Sequence, residues 1–248
     1  MLEDKVLVGQ VRNTNEGGSF TVIEFHSATN VIIRHNDEHR YVAKVSSCQV
    51  RNGNIRNPFY PTLYGVAYMG VGKHKAKIKG KHVQHYSIWT GAVMRCYCPV
   101  RLAKRPSYSG CTLSKEFLCY QNFAEWYTTH ESYGLGYELD KDLLVKGNKV
   151  YSAETCTLIP RDINLAIRTD RKKNSDLPVG VLENKIGGYT AGLRIKTKDY
   201  HLGTFKTPEE ASAAYVVAKE AYVKELALEY KDQIEPRAFE ALMNWTVY

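Results

Sequence analysis

The sequence predicts an α+β protein in three parts. These are a small antiparallel β-barrel at the N-terminus, a central strand–turn–strand–helix (ββα) unit, and a C-terminal three-stranded sheet backed by a helix. Three observations carry this. Residues 5–56 hold short β-branched or alternating runs spaced by roughly ten residues. Residues 137–167 read as strand, turn, strand and helix. Residues 180–204 read as three strands, and Thr207-Pro208-Glu209-Glu210 then combines an N-cap, a proline at the first helical position and acids in the first turn.

In the first part the runs 5–12, 19–25, 30–35, 40–45 and 49–51 are separated by turn chemistry at residues 15–18, 28–30, 36–38 and 52–54. Asn57-Pro58-Phe59-Tyr60-Pro61 breaks the pattern, so the first domain spans residues 1–56. It serves as a scaffold or as a contact module for DNA or protein.

The net charge of +8 and pI near 9.0 favour an acidic partner, nucleic acid or an anionic membrane. There is no apolar run of about 18 residues, and Met1-Leu2-Glu3-Asp4-Lys5 has no apolar signal core. The expectation is a cytoplasmic protein, no membrane, and nucleic acid as the simpler partner. The six cysteines are expected as free thiols. Cys96, Cys98, Cys111 and Cys119 are the candidates for zinc, but paired C-x-x-C knuckles are absent.

Residues 57–167 form the second expected domain. Lys73, Lys75, Lys77, Lys79 and Lys81 fall on alternate positions, which in a strand places all five on one face. No acidic residue occurs between Val71 and Glu116, so this arm is read as a phosphate contact. Helices are expected over 86–97 and from Ser114, a candidate N-cap, to Tyr127, with their aromatics in the core. Asp140, Asp142 and Asn148 then lie close together, with Asn164 on the helix that follows. Oxygens gathered from a strand and a helix suit a hard divalent cation, although Asn148 also suits a turn.

Residues 168–177 are polar and basic and read as a linker; 178–248 form the last domain. Alternation places Tyr189, Ala191, Leu193 and Ile195 toward the helix. Thr190, Gly192, Arg194 and Lys196 fall on the opposite face, joined by His201 and Asn184. The long helix after Thr207 has a small-residue face able to lie close to a sheet.

Gly188-Tyr189-Thr190-Ala191-Gly192-Leu193-Arg194-Ile195, Tyr200-His201-Leu202-Gly203-Thr204-Phe205 and Ala213-Ala214-Tyr215 resemble the DNA-binding domain of plant ethylene-response factors (APETALA-type). The resemblance implies a sheet in the major groove, with Leu182, Asn184, Gly192, Arg194, Asp199 and His201 at DNA-contacting positions. Leu182, Gly192 and Asp199 depart from the longer polar or basic residues of the family. Phosphate contact then carries more of the binding, or base readout differs.

Such domains also occur at the C-terminus of phage-type HNH homing endonucleases, which residues 57–167 resemble through Leu139-Asp140-Lys141-Asp142, Gly147-Asn148-Lys149, Glu154-Thr155-Cys156 and Pro160-x-x-x-Asn164. The resemblance implies a phage-encoded protein in the bacterial host that cuts duplex DNA with Mg2+ or Mn2+. Asp140 and Asn164 would be the metal ligands. Lys141 stands where the general-base histidine belongs, and an ordinary lysine is protonated at neutral pH. Three readings follow. His130 or Asp142 supplies the base, Lys141 acts electrostatically on phosphate, or the site is inactive and the protein binds DNA without cutting it.

Overall fold

The computed structural model describes residues 5–168 and 177–247. The chain divides into two compact units, Met1–Glu125 and Trp126–Tyr248. Both helix and sheet are present, as the α+β expectation requires.

The first unit opens with β1 (Val11–Asn13), β2 (Ser19–Ser27), β3 (Asn30–His35) and β4 (Val42–Val45), an antiparallel meander of order β1-β2-β3-β4. Among the described residues this sheet is open, with β1 and β4 as its edges, so no closed barrel forms. The reason lies at residues 49–51, expected as a strand. They belong to helix α1 (Ser47–Asn52), started by a reciprocal capping box between Ser46 and Gln49 and ended by Gly53 at φ 64. Phe20, Val22, Val31, Ile33, Val45, Val50 and Ile55 form the core beneath it.

A short hairpin follows, β5 (Lys77–Ile78) and β6 (Lys81–His82), then α2 (Gln84–Tyr97) and α3 (Pro99–Lys104). Trp89, Ala92, Val93 and Cys96 bury one stripe of α2, and Trp89 Nε1 donates to the Phe117 carbonyl at 2.7 Å. The strand β7 (Thr112–Leu113) leads to α4 (Lys115–Leu118) and α5 (Tyr120–Thr129). Ser114 caps α4 as expected, accepting from the Phe117 amide.

In the second unit β8 (Glu138–Asp140), β9 (Val150–Tyr151), β10 (Thr157–Ile159) and α6 (Arg161–Ala166) occur in order. The antiparallel pair is β8 with β10, Asp140 opposite Thr157 and Glu138 opposite Ile159, so the second strand of the ββα unit is β10 rather than 150–151. Residues 169–176 of the expected 168–177 linker lie outside the described residues.

Beyond it, β11 (Val181–Glu183), β12 (Tyr189–Ile195) and β13 (Lys198–Phe205) form an antiparallel sheet of that order, followed by α7 (Pro208–Glu229) and α8 (Pro236–Met243). Thr207 and Glu210 complete the capping box at the start of α7. Ala211, Tyr215, Tyr222, Val223 and Leu226 run down the buried side of α7 beneath Ala191 and Leu193. Gly180, at φ +83, meets this helix so closely that a Cβ there would lie 2.1 Å from Tyr215 Cδ2. Leu143, Ile159 and Ile163 of the ββα region share one apolar core with Val181, Leu193, Leu226 and Leu242. Among the described residues no helix is long and apolar enough to cross a membrane.

Candidate nucleic-acid interface and metal site

The lysine-rich stretch folds back on itself instead of running as one strand. Lys79 and Gly80 both take positive φ (48 and 77), as in the two-residue type I′ turn that matches hairpin twist. Lys77 therefore pairs with His82, and Ile78 with Lys81, so the lysines are not confined to one face. All five are exposed. Lys73 forms an ion pair with Glu125 at 2.9 Å. Gln121 holds the base of the hairpin, accepting from the His74 amide and donating to the His74 carbonyl, both at 2.9 Å. Tyr120, fully buried, donates to the Lys75 carbonyl at 2.9 Å.

The outward face of the C-terminal sheet is set by register. Leu182 lies opposite Thr190, Gly192 opposite His201, and Arg194 opposite Asp199. Leu182 is 69% exposed. The Asp199 carboxylate lies 3.6 Å from Arg194 Nε and offsets part of its charge. Two expected members of this face sit in turns instead. Asn184 follows β11, and its Oδ1 accepts from the Ile186 amide at 3.2 Å, the local bond that lets Asn initiate a turn. Lys196 lies at the turn between β12 and β13, at φ 52, with its ammonium 3.8 Å from Asp162. Thr204 was missed; its pairing with Thr190 puts it on the outward face.

The ββα residues are held by their own turn. Asp140 Oδ1 accepts from the backbone amides of Asp142 and Leu143 at 2.8 and 2.7 Å. Burial pushes the Asp140 carboxyl above the usual carboxylate range. The two amides and Lys141 oppose this, and the charge of Asp142 adds to it. Lys141 is buried, donates to the Asp142 carboxylate and to the Asn148 carbonyl at 2.9 Å, and lies 5.9 Å from the centre of the Tyr151 ring. Asn148 donates to the carbonyls of Lys141 and Val150 at 2.7 and 2.6 Å, closing the loop between β8 and β9. Each of these polar groups thus has a structural partner.

Asn164 reaches β8 at a different residue. Its Nδ2 donates to Glu138 Oε2, not to Asp140. Glu138 was missed, although it lies two residues before Asp140 and therefore shares its face of the strand. His130 is turned into the interior, where Nδ1 accepts from the Ser132 amide at 3.1 Å and Nε2 lies 3.4 Å from Glu235 Oε1.

Glu138 and Asn164 bring a carboxylate beside a carboxamide, joined by a hydrogen bond from Nδ2. Asn164 Nδ2 is directed to Glu138 and not to Asp140, whose Oδ1 takes two amides. No group of three His, Cys, Asp or Glu side chains able to hold a metal occurs among the described residues. The cysteines are free thiols. Burial pushes the Cys156 thiol up to about 12, which leaves it protonated and unreactive.

No protein-family model, curated protein or solved structure matches this chain.

Proposed function

We propose that the chain is a duplex-DNA-binding protein on the plan of the HNH homing endonucleases it resembles, contacting DNA through the lysine hairpin and the outward face of the C-terminal sheet. One observation carries the reading. Five exposed lysines sit on and beside a hairpin anchored by buried Tyr120, in a stretch without acids from Gly72 to Lys115. A dense, pre-positioned cationic surface, of which Lys73 alone is paired with Glu125 among these five lysines, suits a polyanion, since released counterions supply the affinity. On the sheet, Arg194 is suited to phosphate or guanine, and His201 pairs across the strands with Gly192, which has no side chain.

Equilibrium binding of fluorescent duplex DNA at several salt concentrations tests this. The expected result is a log–log fall of affinity with salt, made shallower by Lys77→Ala, Lys79→Ala and Lys81→Ala together. Absent or salt-independent binding would refute it.

A second reading, hydrolysis of a phosphodiester bond with Mg2+ or Mn2+, is favoured by the Glu138–Asn164 pair on the strand and helix of a ββα unit. Bound there, the ion would supply charge stabilisation and an acidified water. Glu138 and Asn164 would hold it, and Asp140 would shape the turn beside it. Lys141 is not suited to the base role, because its buried ammonium is paired with Asp142 and donates to the Asn148 carbonyl. Incubation of duplex DNA with either ion, comparing the natural protein with Glu138→Gln, separates cutting from binding alone.

A further inference from the structure

The hairpin carries one residue that phosphate contact does not explain. Ile78 is 58% exposed between Lys77 and Lys79, and directly opposite Lys81. The opposite face is occupied differently, since His82 lies beside Lys77 and sets its ring edge-on to Tyr86 at 4.8 Å. Ile78 and Lys81 therefore share the face turned away from Tyr86. Residues 77–82 are exposed throughout, while the chain just below is pinned by Gln121, Tyr120, and a His74–Glu125 contact of 2.8 Å. The Val83 amide closes the ribbon by donating to the Ala76 carbonyl at 3.1 Å. The turn also keeps a lysine at positive φ, a place where asparagine or glycine is ordinarily found, so the tip is charged as well as tight.

We propose that this ribbon kinks duplex DNA, entering the minor groove with Ile78 as a wedge between two base pairs while Lys77, Lys79 and Lys81 hold phosphates on either side. This rests on the reading that the chain binds duplex DNA. Apolar side chains pushed between base steps from the minor groove unstack them and bend the helix, and the bend brings more backbone against flanking cations. A wedge must be apolar, exposed and borne on a support that does not yield, and Ile78 on its anchored hairpin meets each condition. The same chemistry argues against a lipid surface, where a stable anchor needs an extended apolar face and not a single isoleucine among lysines.

The test is energy transfer between dyes at the two ends of a short duplex, read with the full chain bound, beside anisotropy for affinity. The natural protein is expected to shorten the end-to-end distance. Ile78→Ala should abolish the shortening and lower affinity less than about ten-fold, because the phosphate contacts remain. Ile78→Phe should restore the bend. The triple lysine variant should lose affinity and reduce the salt slope by up to about three.

Circular dichroism of each variant guards against misfolding, which is not expected at exposed positions. Binding without a bend, or a bend unchanged in Ile78→Ala, overturns the wedge and leaves DNA binding standing. Failure of the natural protein to bind duplex overturns both. Capture by vesicles of phosphatidylserine and phosphatidylcholine, with no duplex binding, would assign the ribbon to a membrane instead.

Discussion

Asn164 Nδ2 donates a hydrogen bond to Glu138 Oε2, on the strand residue two positions before Asp140. This separates two roles that the spacing alone had merged. Asp140 holds a turn through the amides of Asp142 and Leu143, whereas Glu138 faces the helix. Asp140→Ala should therefore act on stability, with a cost of about 1–3 kcal/mol from two amides left without their acceptor. Urea unfolding measures this. If the protein cuts DNA, Glu138→Gln and Asn164→Ala should abolish cutting with little change in duplex affinity.

Lys141 behaves as a structural cation. Lys141→Ala removes the donor to the Asn148 carbonyl and the partner of Asp142, and opens space beside Tyr151. The expected outcome is a loss of about 1–3 kcal/mol in unfolding free energy and, if the chain binds DNA, an unchanged affinity for it. A histidine placed there should not create activity, since it would enter the same buried turn.

Glu235 gives the second unit an acid-sensitive contact. Burial works against its ionisation, but the neighbouring His130, Thr157 and Arg237 side chains, Arg237 through an ion pair of 2.9 Å, outweigh burial and bring it to about 2. A carboxylate depressed from 4.5 contributes stability that is present above pH 4.5 and lost as pH falls toward about 2. Glu235→Gln should flatten that part of the stability–pH curve, as followed by tryptophan fluorescence. Asp140 has the opposite sign. Its raised value costs stability at neutral pH and gives some of it back on acidification.

Gly180 has two reasons to be glycine, its φ of +83 and the Tyr215 ring 2.1 Å from where a Cβ would stand. Gly180→Ala should lower stability by about 1–3 kcal/mol from crowding, with backbone strain in addition. A thermal melt checks it. Tyr215→Ala should relieve the crowding but not the strain, so the pair should be less than additive.

Asp199 places a carboxylate 3.6 Å from Arg194 on the outward face of the sheet. If that face contacts DNA, Asp199→Asn should tighten duplex binding and steepen its salt dependence, and Arg194→Ala should weaken it. Anisotropy titrations at two salt concentrations read both.

Periodicity told faces apart well and told register poorly. The burial of Ala191 and Leu193 and the start of α7 at Thr207 followed from local chemistry. The order strand, strand, helix was also legible, but which strands paired was not. Nothing local distinguishes 150–151 from Thr157–Ile159 as the partner of β8. The capping box at Ser46 and Gln49 was present in the sequence and was overridden by the β-branched neighbours on either side. Gly80 was the signal that the lysine run turns, and alternation hid it. Asn184 and Lys196 followed the alternation past the point where each strand ends. The Glu138–Asn164 contact joins residues 26 apart in the chain, and only the fold selects it over Asp140.

The apolar core that joins Leu143, Ile159 and Ile163 to Val181, Leu193 and Leu226 has a metric consequence. The outward face of the sheet and the Glu138–Asn164 pair are carried by elements packed on that one core. The span between them is a constant of the fold, not a property of a tether. If the sheet reads a sequence and the pair cuts, the body acts as a ruler. Breaks would then fall at a fixed number of base pairs from the recognised site, and lengthening residues 168–177 would leave that offset unchanged.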